Sequence, residues 1–115
     1  MTTVSEVDST TAREAIAGAE GIVLVDFTAA WCPPCRVLSP VLDQLAREAG
    51  DLEVLKVDVD ASPDLASSYH VMSMPTLVFF SGGRELRRSV GARGIASLRE
   101  ELEQVRVAAR AESRI

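Results

Sequence analysis

The chain has 115 residues, 47% hydrophobic and 25% charged, which suits one globular domain with a single core. Seventeen acidic residues against twelve basic ones give a net charge of −5. The chain has no basic footprint or polybasic stretch, so neither nucleic acid nor an anionic membrane surface is expected as a partner.

The amino-terminal residues 1–12 are polar and rich in threonine, and they lack the basic start and apolar centre of a secretory signal. Apolar runs such as Ile22–Val25 are far too short to span a bilayer. We therefore expect a cytoplasmic monomer whose single domain covers residues 1–115.

The first half of the chain predicts two strands and two helices. Val4–Val7 has the pattern of a short strand, and Asp8 or Ser9 can cap a helix over Thr10–Ala17. Ile22–Phe27 is a continuous run rich in β-branched residues, as in a strand buried on both faces of a parallel sheet. A helix is expected after Trp31, where apolar residues recur at helical spacing: Val37, Leu38, Val41, Leu42, Leu45 and Ala49.

Two further strands flank a short helix in the next segment. Glu53–Val59 again has the character of a buried strand, and Thr76–Phe80 is a third strong one. Between them, Ser62-Pro63 has the pattern of a helix cap followed by proline in the first turn, which predicts a helix ending near Tyr69.

The last segment predicts a hairpin and a final helix. Gly82-Gly83 is a turn leading into an antiparallel edge strand over Glu85–Val90. The final helix begins near Ile95, and Ala108–Ile115 is expected to be frayed or an extra solvated turn. This order of elements predicts an α/β domain with a mixed central β-sheet of four to five strands and helices on both faces.

The only two cysteines lie in Cys32-Pro33-Pro34-Cys35, between a buried strand and the start of a helix. One helical turn brings two Cα atoms to the roughly 4.4–6.8 Å that a disulfide needs. The amide groups and dipole of a helix start stabilise a thiolate, which is the reactive form of cysteine. We expect Cys32 to be the more exposed thiol and the nucleophile, with Cys35 as the resolving thiol.

Two other interpretations of the cysteine pair are weaker. A structural disulfide across so small a loop would constrain the unfolded chain little, and such a pair in a reducing compartment is more often catalytic. Half of a metal site is disfavoured because no second cysteine pair exists and His70 is the only histidine. No metal ligand and no bound cofactor are predicted.

Asp26 is a carboxyl group inside the apolar strand Ile22–Phe27. Burial disfavours the ionised form and should raise the pKa of this side chain. A carboxyl group whose pKa lies near neutrality can act as a general acid or base.

Residues spread over most of the chain, from about Val4 to Val105, resemble the thioredoxin family in type and spacing. These are Val25-Asp26-Phe27, Ala29, Ala30-Trp31-Cys32, Pro34-Cys35-Arg36, Pro40, Lys56, Asp60, Met74-Pro75-Thr76, Gly83 and Val90-Gly91-Ala92. The resemblance implies the thioredoxin fold, with the cysteine motif at the carboxyl end of a strand.

The resemblance also implies roles for individual residues. Asp26 would serve the resolving thiol Cys35, usually through water, with Lys56 near it; the alternative is that Asp26 and Lys56 form only a structural pair. The Met74-Pro75 bond would be cis and would place the Met74 backbone where an extended substrate segment can pair with it. The implied substrate surface comprises Trp31, Pro33, Pro34, Met74, Pro75, Thr76, Gly91 and Ala92, with Met72 as a further candidate for its rim.

Three residues depart from the family pattern and put the identity of the partners in doubt. Pro33 replaces the usual glycine between the cysteines, where it stiffens the turn and can alter the reduction potential. Thr28 stands in place of a common aromatic residue, and Ser73 in place of a glycine before Met74-Pro75.

The sequence therefore predicts a thiol–disulfide oxidoreductase that reduces disulfide-containing protein substrates through a Cys32/Cys35 cycle. The resemblance implies regeneration by an external flavoprotein that uses NADPH, similar to thioredoxin reductase. Two alternatives stay open: a disulfide oxidase or isomerase of the same fold, and a non-catalytic interaction module. Asp26, Pro75 and Trp31 argue against the module, because a scaffold needs none of them.

Overall fold

Strand β2 (Ile22–Thr28) lies at the centre of a five-stranded sheet in the computed structural model, which describes residues 4–112. The sheet order is β1-β3-β2-β4-β5, where the other strands are β1 (Val4–Glu6), β3 (Leu52–Asp58), β4 (Thr76–Ser81) and β5 (Arg84–Val90). β1 and β2 run parallel to β3, whereas β4 is antiparallel to β2, and β5 to β4. The predicted mixed sheet, with an antiparallel edge strand, is confirmed.

Helices cover both faces of the sheet, as predicted. They are α1 (Ser9–Gly18), α2 (Pro33–Glu48), α3 (Pro63–Ser68) and α4 (Ile95–Glu112). Buried side chains of α2 and α4 share one hydrophobic cluster with the sheet, and those of α1 and α3 share the other. Asp8 caps α1, since its side chain accepts a hydrogen bond from the Thr11 amide at 2.8 Å.

The two faces of β2 follow from the alternation of side chains along a strand. Ile22 and Leu24 belong to the cluster under α2 and α4, and Val23 and Val25 to the cluster under α1 and α3. Asp26 continues the first series, so its carboxyl group is directed to the face that α2 covers. The strand thus carries an ionisable group into the layer beneath α2.

The turn between β4 and β5 needs glycine at both of its positions. Gly82 and Gly83 have φ values of 60° and 80°, in the left-handed region that residues with a Cβ adopt rarely. Two such residues in succession make the two-residue turn that matches the twist of a hairpin. The Gly82-Gly83 prediction is therefore confirmed.

Two local predictions are decided at helix ends. Of the two alternatives for residues 108–112, a frayed tail or an extra solvated turn, the structure shows the helical one, because α4 continues as regular helix to Glu112, whose Oε2 lies 3.3 Å from the Arg84 Nε atom. The remainder of the expected extension, residues 113–115, lies outside the described residues. Pro63 begins α3 as expected, but the Ser62 side chain makes no capping hydrogen bond.

No helix within residues 4–112 has the length and apolar character needed to cross a membrane.

Neighbouring residues of α2 offer a direct test of which helix face supports the core. Leu38 is fully buried under the sheet, whereas 67% of the Val37 side chain is exposed. We predict that Leu38→Ala lowers the free energy of unfolding by about 2–5 kcal/mol, because it leaves a cavity in packed surroundings. Urea denaturation measures this, with Val37→Ala as the control expected to change stability by less than about 0.5 kcal/mol. Equal losses in the two variants would contradict the packing described.

Candidate active site

The Cys32–Cys35 pair lies where β2 gives way to α2, at the carboxyl end of the central strand. Cys32 is the N-cap of α2 and Cys35 lies in its first turn. The two sulfur atoms are joined in a disulfide, and the Cα atoms are 5.3 Å apart. The predicted pairing across one helical turn is confirmed.

The two prolines leave a single nearby amide to serve the sulfur of Cys32. Pro33 and Pro34 occupy the first positions of α2, and neither has a backbone N–H. The first free amide of the helix is therefore that of Cys35, and it donates a hydrogen bond to Cys32 Sγ at 3.3 Å. A donor at the positive end of a helix favours negative charge on that sulfur.

The expectation that Cys32 is the more exposed cysteine is wrong for this oxidised state. Cys32 is 3% exposed and Cys35 4%, so both are buried. Ala29 packs with the disulfide, and Val59 and Met74 cover it. Cys32 Sγ lies 3.6 Å from the Met74 carbonyl oxygen. The two sulfurs differ in their surroundings rather than in their exposure.

The loop beside the disulfide is built around the Met74-Pro75 bond, which is cis as the resemblance implied. Pro75 is buried, and its carbonyl accepts a hydrogen bond from the Gly91 amide at 2.9 Å. The Thr76 hydroxyl, also buried, donates to the Ser73 carbonyl at 2.6 Å. These bonds join the loop before β4 to the segment after β5, and the Thr76 side chain supports the loop from inside.

Exposed apolar side chains surround this part of the molecule. Trp31 is 61% exposed, and its indole Nε1 donates a hydrogen bond to Asp60 Oδ2 at 2.8 Å. Met72 is 90% exposed and Val90 54%. Pro33, Pro34 and Ala92 are exposed as well, and Gly91 and Met74 are half-buried.

Asp26 is fully buried in β2, the strand that precedes the cysteine motif. Within residues 4–112, neither carboxylate oxygen has a hydrogen-bond partner. Burial raises the pKa of Asp26 to about 7, although the positive charge of Lys56 acts in the opposite direction. This confirms the predicted burial and the direction of the pKa shift.

A cleft of about 200 Å³ connects the cysteine pair with the charged residues of the neighbouring strands. Cys35 and Lys56 both line it, and Lys56 is the register partner of Asp26 on the parallel strand β3. The Lys56 ammonium donates a hydrogen bond to the hydroxyl of Ser39, which also lines the cleft. The other lining residues are Glu6, Thr28, Ala29, Ala30, Arg36 and Asp58.

Sequence reasoning did not identify Ser39. The residue lies four positions after Cys35, the spacing that puts two side chains on one face of a helix. That spacing could have placed Ser39 near the cysteine pair. It could not have revealed the contact with Lys56, which comes from a different element.

No metal site accompanies these groups: nowhere in residues 4–112 do three His, Cys, Asp or Glu side chains cluster as a bound ion would require.

The buried carboxyl group predicts how stability depends on pH. With a native pKa of about 7 and an unfolded value near 4, Asp26 is protonated in the native state over a range where the unfolded chain has lost that proton. The stability of the oxidised protein therefore falls as pH rises through that range, and Asp26→Asn removes the fall. The difference in free energy of unfolding, Asp26→Asn minus wild type, should therefore be about 3 kcal/mol larger at pH 8 than at pH 4.5.

Urea denaturation at the two pH values measures this gain. Asp43→Asn, on an exposed position of α2, is the matched control and should show no comparable gain. If the difference in free energy of unfolding between wild type and Asp26→Asn were the same at both pH values, the description of Asp26 would be contradicted.

Comparison with known proteins is consistent with this geometry. The thioredoxin family profile matches residues 3–104. A thioredoxin from Chlamydia trachomatis is 51% identical over 80 residues, which are 70% of this chain and 78% of the relative. A Mycobacterium leprae protein described as a bifunctional thioredoxin reductase/thioredoxin is 46% identical over 84 residues, 72% of this chain and 18% of that protein.

The fold is also found among solved structures. A mutant thioredoxin from Halobacterium salinarum superimposes with a TM-score of 0.82 at 36% identity, covering 89% of each chain. The five-stranded mixed sheet with four helices is therefore the thioredoxin fold. The chain belongs to the thioredoxin family, and it is a thiol–disulfide oxidoreductase of the disulfide reductase type that works through the redox-active pair Cys32–Cys35.

Proposed function

We propose that Cys32 is the attacking thiol of this reductase, that Cys35 resolves the intermediate, and that Asp26 accepts the Cys35 proton. The observation that carries the proposal is the placement of the pair. Cys32 Sγ accepts a hydrogen bond from the first free backbone amide of α2, that of Cys35. The Cys35 residue itself lines the cleft that Lys56 also lines. The two thiols therefore have different chemical surroundings although both are buried.

The first step uses the reduced protein and a disulfide in a substrate protein. The Cys32 thiolate attacks one substrate sulfur, a mixed disulfide forms, and the other substrate sulfur leaves as a thiolate that takes up a proton. The Cys35 amide and the start of α2 support this step, because they stabilise the thiolate before attack.

The second step releases the substrate. Cys35 gives its proton to the Asp26 carboxylate, usually through water in the family, and its thiolate attacks Cys32 Sγ. The Cys32–Cys35 disulfide forms and the second substrate sulfur departs as a thiolate. Two electrons have then passed from the protein to the substrate. A native pKa of about 7 suits Asp26 to this transfer, since general bases work best near the ambient pH.

We propose that Lys56 assists by its charge, because it lies opposite Asp26 in the sheet and its positive charge favours the carboxylate. The substrate would lie along Met74-Pro75 and contact Trp31, Pro33, Pro34, Gly91 and Ala92. The Met74 carbonyl beside Cys32 Sγ supports this placement, since an extended segment can donate a backbone hydrogen bond to it. Thr76 is expected to support the loop from inside and not to touch the substrate, because the whole residue is only 2% exposed and its hydroxyl donates to the Ser73 carbonyl.

Two further elements of the cycle are proposed from the relatives and the motif. The Mycobacterium leprae protein joins a thioredoxin reductase to its thioredoxin, which supports a flavoprotein reductase as the partner that restores the dithiol. The Cys-Pro-Pro-Cys motif is compatible with this chemistry, because the Cys35 amide still donates a hydrogen bond to Cys32 Sγ at 3.3 Å. A cycle that needs a supply of reductant fits the cytoplasm.

The division of roles between the cysteines is tested by trapping. We predict that Cys35→Ser forms a stable mixed disulfide with an oxidised protein substrate such as insulin, because no resolving thiol is present. Cys32→Ser is the matched variant and should form little or none under the same conditions. Non-reducing electrophoresis with mass spectrometry of the cross-linked peptides identifies the sulfur involved. Multiple turnover by Cys35→Ser at the wild-type rate would contradict the assignment.

A further inference from the structure

Ser39 lies on the sheet side of α2, half-buried, with its hydroxyl accepting a hydrogen bond from the Lys56 ammonium. The lysine comes from β3, so this bond ties the helix that carries the cysteines to the sheet. Both residues line the cleft beside Cys35. Ser39 is therefore in contact with the one cation that stands next to Asp26 in the sheet.

The Lys56 ammonium does not form an ion pair with the neighbouring Asp26 carboxyl group. Asp26 is its register partner, one strand away, and both side chains are directed to the face that α2 covers. Nevertheless, no group in the part of the chain that the structure describes donates a hydrogen bond to either oxygen of Asp26. A direct Asp26–Lys56 ion pair would satisfy them, so something must favour the observed position of the ammonium.

The other charged groups around Asp26 do not replace that ion pair. Glu6 on β1 and Asp58 on β3 line the same cleft and are acidic, and Arg36 on α2 donates to the Ala30 carbonyl at 2.9 Å. On the other side of β2, the register partner of Asp26 is the apolar Leu77. Lys56 is thus the lining cation whose movement would most change the electrostatic surroundings of Asp26.

We propose that Ser39 is a positioning residue that holds the Lys56 ammonium on the helix side of the cleft, so that Asp26 stays free of a direct ion pair. The consequence for catalysis rests on the proposed role of Asp26 as the proton acceptor for Cys35. A carboxylate locked to an ammonium is a weaker base, because the ion pair favours its deprotonated form. Ser39 would thereby keep Asp26 able to take a proton near neutral pH.

The test is a titration of the Asp26 carboxyl carbon by NMR in the oxidised protein, with no substrate or reductase present. Ser39→Ala removes the hydroxyl and keeps a strong helix former, so α2 is retained. We expect the midpoint for Asp26 to fall by roughly 1 pH unit, as the released ammonium approaches the carboxylate. Ser39→Thr retains a hydroxyl and should restore the wild-type midpoint.

A second background establishes that the effect passes through Lys56. Lys56→Gln removes the charge and should raise the Asp26 midpoint, and adding Ser39→Ala to it should change nothing further. An unchanged or higher midpoint in Ser39→Ala alone would overturn the proposal, and so would the same fall in the Lys56→Gln background. The titration involves no turnover, so its outcome is independent of the trapping experiment. The proposed roles of the cysteines can fail while the Ser39 result stands, and the Ser39 proposal can fail while the cysteine roles stand.

Discussion

The Asp26 carboxyl group occupies the place in the molecule where a charge is hardest to maintain. It lies in the central strand, is fully buried, has no hydrogen-bond partner among the described residues, and is directed to the face that α2 covers. Desolvation there outweighs the attraction of Lys56, which is why the pKa rises to about 7 instead of falling. Above that pH the buried ionised group lowers the free energy of unfolding. An apolar residue such as leucine at this position would carry no such cost. The same burial gives the protein a carboxyl group with a pKa near neutrality, in the strand that leads to its redox pair.

The remainder of the site depends on how the chain leaves β2. The strand delivers the backbone directly to the N-terminus of α2, so the disulfide is held by the helix start on one side and by the Met74-Pro75 loop on the other. Because Pro33 and Pro34 contribute no amide, the Cys35 N–H is the nearest donor for Cys32. The Gly91 bond to Pro75 fastens the loop to the end of β5. These three contacts use backbone groups, and the Thr76 hydroxyl adds a side-chain bond to the Ser73 carbonyl within the loop.

Much of this organisation follows from local sequence patterns. The run Ile22–Phe27 predicts the central strand, because a strand covered on both faces needs apolar residues throughout, and that pattern also makes Asp26 conspicuous. The cis state of Met74-Pro75 could come only from the family resemblance, since most X–Pro bonds in folded proteins are trans. The burial of Cys32 was missed because Met74 and Val59, which cover it, come from distant segments. The Ser39–Lys56 hydrogen bond joins a helix to a strand. It could not be predicted from the helical pattern around Ser39 or from the strand pattern around Lys56. The sequence pattern does not distinguish a frayed tail from an extra turn at residues 108–112, because the pairing of Glu112 with Arg84 on β5 is not local in sequence.

The central claim is that the Cys32–Cys35 pair acts as a reductant, and its reduction potential tests this most directly. Equilibration of the purified protein against a dithiol or glutathione buffer, with the oxidised and reduced forms quantified after acid quenching, gives the value. We predict a potential near −270 mV, a figure taken over from thioredoxins themselves. A value between about −180 and −120 mV, where isomerases and oxidants lie, would contradict the account and would make the protein a donor or isomerase of disulfides.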